Sequence, residues 1–111
     1  MKLVNLTPHE ITIVNDEGEI LLRIQPSGTV ARIEMRHVKV AYFDTDGASI
    51  PVNHVQLGQT NGLPEMTPGV MLLVSRVVAE AVRDRDDILI TDESIRDHDG
   101  RIIGCKALAH L

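Results

Sequence analysis

Apolar and polar residues alternate with period two along much of this chain, the pattern of strands that bury one face. Across residues 10–24, Ile11, Ile13, Ile20, Leu22 and Ile24 fall on one side of a turn at Asn15-Asp16-Glu17-Gly18, which predicts a half-buried hairpin. Pro26-Ser27-Gly28 interrupts the pattern, and an extended stretch resumes over Thr29 to Glu34. His37 to Phe43 alternates again, with Val38, Val40 and Tyr42 on one face and Lys39, Ala41 and Phe43 on the other. The turn residues Asp44-Thr45-Asp46-Gly47 make it the first strand of a second hairpin. Its return strand, Ala48 to Leu57, contains Pro51, which lacks a ladder N–H and belongs at an edge.

Glycines and prolines between Gly58 and Gly69 predict the longest loop, centred on Gly62 to Gly69. Val70 to Val74 is apolar on both faces, as in a central strand covered on both sides. Ser75 is placed to cap a helix of about two turns ending near Arg83. Ile88 to Ile90 then reads as a strand, Asp97-His98-Asp99-Gly100 as a tight turn and Arg101 to Leu108 as a closing strand. The expected fold class is α+β: a mainly antiparallel β single domain over residues 1–111, with seven or eight short strands and one principal short helix.

Composition narrows the function classes. The chain has 111 residues, 43% hydrophobic and 24% charged, an ordinary globular balance with enough chain for one core. Tyr42 and Phe43 are its only aromatic residues, so that core must be aliphatic. The formal charge of −5 disfavours long nucleic acid, whose binding rests on a basic surface. It leaves room for a small anion, since most of the basic residues are Arg, the side chain that grips phosphate or carboxylate with two parallel bonds. Cys105 is the single cysteine, which rules out an internal disulfide and fits a reducing cytoplasm. No apolar run approaches membrane-spanning length, and the first residues are too short and polar for a signal peptide, so the expected location is cytoplasmic.

Several short constellations carry candidate chemistry. Thr7-Pro8-His9 sets a hydroxyl and an imidazole around a rigid proline, either as a ligand contact or general base or as a cap-like surface turn. Ser27-Gly28-Thr29 followed by Arg32 reads as a plain turn or a phosphate cradle, without P-loop spacing. Ser75-Arg76 opens the helix, where unpaired N–H groups and the arginine favour an anion, against the simpler reading of a cap and a solvated side chain. In Arg83-Asp84-Arg85-Asp86-Asp87 the alternating signs suit a solvated turn; the functional version has Arg83 or Arg85 on phosphate and Asp86 or Asp87 on ribose hydroxyls. Asp97 to Gly100 lacks the spacing of a calcium loop, His54 and His98 are too scattered to predict a metal site, and Cys105 reads as a packed thiol. No cofactor is expected.

Asn5-Leu6-Thr7-Pro8-His9, Ser27-Gly28-Thr29-Val30-Ala31-Arg32, Gly62-Leu63-Pro64 and a tail running from Val74-Ser75 through Asp92 and Ile95-Arg96-Asp97 to Asp99-Gly100-Arg101-Ile102-Ile103-Gly104-Cys105 resemble a family of small proteins encoded by tailed phages and bacteria. The resemblance spans almost the whole chain and brings no activity with it. It implies a phage or prophage setting, in which compact proteins in the host cytoplasm sequester a host signal or block a host protein.

Together these readings lead to a non-catalytic binder of a small anionic ligand, a nucleotide-derived signal, using Arg32, Ser75, Arg76, Arg83 or Arg85, with Thr7 and His9 nearby. One alternative is a protein-interaction module that inhibits a host protein through an edge strand or the loop at residues 62–69. A third is a small hydrolase pairing His9 or His98 with an aspartate. Exposed edges on a small β-rich chain also predict a homo-oligomer, with arginines from two copies meeting at the ligand.

Overall fold

In a computed structural model that describes residues 1–111, eight strands and one helix follow one another along the chain. They are β1 (Lys2–Asn5), β2 (Ile11–Val14), β3 (Ile20–Ile24), β4 (Arg32–Thr45), β5 (Ala48–Asn61), β6 (Val70–Leu73), α1 (Arg76–Ala81), β7 (Ile88–Arg96) and β8 (Ile102–Ala109). Six strands form one sheet in the order β1-β6-β7-β8-β2-β3, while β4 and β5 form a separate two-stranded ribbon.

The apolar run at residues 70–74 is the central strand its composition predicts. β6 lies between β1 and β7, parallel to both, and its neighbouring residues Leu72 and Leu73 are 2% and 0% exposed. Successive strand residues point to opposite faces, so β6 feeds two cores. Leu72 joins Leu6, Ala31, Val74, Val78, Ala79, Ile88 and Ile90 beneath α1, whereas Leu73 meets Ile11, Ile24 and Cys105 on the other side. Each core is small and aliphatic.

The sheet curls until its edges nearly meet. Asn5 of β1 bridges in parallel to Pro26, just beyond β3, and the Ser27 N–H donates to the Asn5 carbonyl at 2.9 Å. The Asn5 side chain fills the seam: its amide donates to the carbonyls of His9 (2.7 Å) and Ile24 (3.1 Å). Its Oδ1 accepts from the Thr7 N–H (2.9 Å) and hydroxyl (2.7 Å). At 1% exposure this is a buried amide with partners on both ends, which is the condition for burying it without a large desolvation cost.

The architecture is one β-rich domain with a nearly closed, barrel-like sheet. Two details differ from the expected outline. First, α1 spans six residues and serves as the crossover between the parallel strands β6 and β7. Ser75 occupies the N-cap position without a side-chain hydrogen bond, and the helix stops at Ala81 rather than near Arg83. Second, the sheet is mixed, because β1–β6, β6–β7 and β2–β8 pair in parallel. The β2–β8 approach is close enough that a Cβ on Gly104 would lie 3.0 Å from the Thr12 carbonyl oxygen. No helix is long and apolar enough to cross a membrane.

The first hairpin forms as β2 and β3, but its buried face is shorter than the alternation predicts. Ile11 and Ile24 are buried, while Ile20 and Leu22 at the far end of edge strand β3 are 51% and 50% exposed. The register shifts between Ile13 and Val14, so the ideal alternation does not continue through the turn.

The second hairpin is longer than expected on both strands, extending beyond His37–Phe43 and Ala48–Leu57 toward its base. β4 and β5, of 14 residues each, pair from Arg32↔Asn61 to Thr45↔Ala48, with the register shifting between Ile33 and Met35 and again between Lys39 and Ala41. They are joined at Asp46 (φ 49°) and Gly47 (φ 78°), the left-handed pair of a type I′ turn. A bulge between Lys39 and Ala41 carries the pairs Ala41/Val52 and Phe43/Ile50 onto the face of Val38/His54. Tyr42 stays opposite, with the Lys39 ammonium 5.5 Å from its ring centroid. The expected face of Val38, Val40 and Tyr42 is therefore split at the bulge. Where the ribbon rejoins the body, Gly62 (φ 77°) passes the Val30 carbonyl so closely that a Cβ would lie 2.5 Å from its oxygen.

Candidate functional site

A hollow of about 640 Å³ opens where α1 begins, against the turn after β1 and the outer part of β7 and β8. This volume lies within the range of small-molecule sites. Ile11, Val74, Ile90 and Cys105 form an apolar floor, and Thr7, His9, Ser75, Arg76, Thr91 and Ser94 bring polar groups to the wall. A smaller hollow of about 260 Å³ lies beside it, shares Thr7, Pro8 and Ser75, and adds Arg32. Arg76 and Arg32 thus flank one ridge, built from residues distant in sequence.

Local structure determines how free each group is. Thr7 has its hydroxyl hydrogen on Asn5, so its contribution to the wall is chiefly to hold the turn in shape. His9 is exposed and lines the hollow, its carbonyl tied to the Asn5 amide. The Ser75 hydroxyl does not cap α1 and is exposed. Arg76 forms a solvent-exposed pair with Glu80 at 3.3 Å, the kind of contact that contributes little and yields readily to a ligand. Glu10 also reaches the hollow, where its carboxylate accepts from Gln25 at 2.6 Å and pairs with Arg23 at 3.6 Å.

Arg85 is differently placed. Its guanidinium donates twice to Asp87, Nε to Oδ1 at 2.9 Å and Nη2 to Oδ2 at 2.6 Å, and Nη2 also reaches the Pro64 carbonyl at 2.9 Å. The Asp87 side chain is 5% exposed, so this is a buried bidentate pair that fastens residues 62–64 to the turn before β7. The hydrogen bond to Asp87 holds the Arg85 guanidinium above its ordinary pKa. Arg83 is exposed and lines neither hollow. The run at residues 83–87 is therefore half anchor and half solvated turn.

His98 lies 3.7 Å from Asp99 in an exposed turn outside both hollows, and no cluster of three His, Cys, Asp or Glu side chains has the geometry to hold a metal. The Asp97–Gly100 turn forms as the sequence predicts, with Asp97 Oδ1 accepting from the N–H groups of Asp99 and Arg101. Cys105 reaches the floor of the large hollow at 2% exposure, and burial pushes its thiol pKa up.

Thr91, Ser94, Ile102 and Ile103 join the site without a sequence signal of their own. They come together because β7 continues to Arg96, past the Ile88–Ile90 stretch its apolar residues mark, and pairs antiparallel with β8 over Ile90↔Ala109 to Arg96↔Ile102. The fold and site define a small barrel-like β protein with a cleft at its single helix. Comparison with protein-family models, curated proteins and solved structures finds no match to this chain.

Proposed function

We propose that the chain binds a small anionic ligand in the hollow at the start of α1 and acts on it by sequestration rather than chemistry. The reading rests on one observation: Ser75, Arg76, Thr7 and His9, singled out by residue type, line a single cleft with an apolar floor, and Arg32 lies across the Ser75 ridge. Arg76 supplies the charge, Ser75 and the outer hydroxyls of Thr91 and Ser94 supply hydrogen bonds, and Ile11, Val74 and Ile90 offer an apolar surface to a base or sugar face. A nucleotide-derived signal combines these features, and its capture in a host cytoplasm suits a phage-encoded protein.

The test is thermal stability against a panel of linear and cyclic nucleotides, followed by recovery of the ligand. A ligand present at a hundred times its Kd stabilises the fold by about 2.7 kcal/mol, a readily measured rise in Tm. We expect at least one nucleotide to raise Tm and to be recovered unaltered. Arg76→Ala should weaken binding by about tenfold, as loss of a charge-assisted contact does, while Arg83→Ala leaves it unchanged. No rise with any member of the panel, or equal loss from both variants, would overturn the reading.

A further inference from the structure

The β4–β5 ribbon leaves the body and buries almost nothing. From Glu34 to Gln59 every residue except Val38 is exposed. Eight large apolar side chains of this segment, Met35, Val40, Tyr42, Phe43, Ile50, Val52, Val55 and Leu57, are between 42% and 61% exposed. The radius of gyration is 17.5 Å and the longest extent 52 Å, against about 13 Å for the radius of a compact chain of this length. A two-stranded ribbon standing alone in water is marginally stable at best, and this one is unusually long. Phe43, Ile50 and Val52 share one face of it, while Met35, Tyr42, Val55 and Leu57 lie on the other.

We propose that a second copy of this chain covers it, the two ribbons packing antiparallel, face to face, about a two-fold axis. The bulge after Lys39 gathers Val38, Ala41, Phe43, Ile50 and Val52 on one face, with His54 opposite Val38, so the pair Ala41/Val52 sits at the middle of a mainly apolar strip. An axis through that pair sets Phe43 and Ile50 of one copy over Val38 and His54 of the other. Charge selects the antiparallel arrangement: Arg36 lies about four residue pairs from the axis toward the base, and Asp46 about as far from it at the tip. Neither residue forms an ion pair within its own chain. Antiparallel stacking brings each Arg36 beside the partner copy's tip, whereas parallel stacking would align like charges.

At about 3.4 Å per residue, the overlap about this axis spans roughly ten residue pairs, about 35 Å by two strands, so pressing two faces together removes on the order of 800 Å². That is the size of a weak contact and corresponds to a dimer that dissociates readily on dilution. The inference stands independently of the ligand reading, because no ribbon residue beyond Met35 lines either hollow.

Sedimentation equilibrium across micromolar concentrations should give twice the chain mass of 12.2 kDa, with dissociation on dilution. Phe43→Lys, an exposed position, should weaken the dimer at least about tenfold while leaving the circular dichroism spectrum unchanged. Under mild oxidation Val52→Cys should form a disulfide between copies through the axis, while Asn53→Cys on the opposite face should not. A monomer throughout the concentration range, including one that co-purifies with a different protein on the ribbon, overturns the proposal. So does a dimer indifferent to Phe43→Lys, or equal cross-linking from both cysteine variants.

Discussion

Cys105 shows how one side chain sets a pH limit on the fold. Burial raises its pKa above the ordinary value of 9.0, so the folded chain holds its proton at a pH where the unfolded chain has begun to lose it. Below that ordinary value both states are protonated and the thiol leaves stability unaffected by pH. As pH rises through it, the unfolded state releases the proton first, and stability falls until the folded thiol ionises too. Thermal melts from pH 8 to pH 10.5 should therefore show a steeper decline for the wild type than for Cys105→Ala, and parallel curves would reject the assignment. The packed thiol was legible from its apolar neighbours. The uncapped Ser75 was not, because a hydroxyl at an N-cap position has rotamers that miss the helix as well as ones that reach it.

At the scale of elements, β7 contains a local conflict. Glu93 has φ 53°, in the left-handed region, in the middle of a strand whose flanking pairs are Asp92↔Ala107 and Ser94↔Cys105. A β-branched residue normally favours strands, yet at positive φ it is strained. Glu93→Val should accordingly destabilise the protein by about 1–2 kcal/mol in urea unfolding, whereas an ordinary exposed strand site would be neutral or slightly stabilised. A gain in stability would show that the backbone relaxes at no cost. Period-two alternation and the Asp-Gly turns made the hairpins and their order legible. It did not show the bulge after Lys39, which changes the ribbon's faces, or the parallel pairing of β1, β6 and β7, since register between distant segments depends on packing that no local window contains. Arg85 likewise read as a solvated charge until the fold brought Pro64 and a buried Asp87 to it.

For the whole molecule, closure of the barrel-like sheet depends on Asn5. Its amide serves four backbone or hydroxyl partners where β1 meets the segment after β3, and every buried side-chain polar atom in the protein has a partner. Asn5→Ala leaves those partners short at the seam and should lower unfolding free energy by about 2–3 kcal/mol. The loss should appear as earlier hydrogen exchange at Thr7 and Ser27, while exchange along the distal ribbon stays as in the wild type. The sequence marked Asn5-Leu6-Thr7-Pro8-His9 as a unit, but its contribution to closure emerges only when His9 and Ile24 are neighbours in space. The ribbon, finally, bears on how the chain finds this arrangement. Lys2 pairs with Val70 across almost seventy intervening residues, and thirty of these form the stretch from Arg32 to Asn61, whose ends are themselves paired. A hairpin nucleated at Asp46-Gly47 zips from local contacts on a microsecond timescale and takes that length out of the connection. It roughly halves the loop that β1 and β6 must close, easing the closure entropy by about 0.6 kcal/mol, so the segment least buried in the native state is the one that shortens the search for the most buried strand.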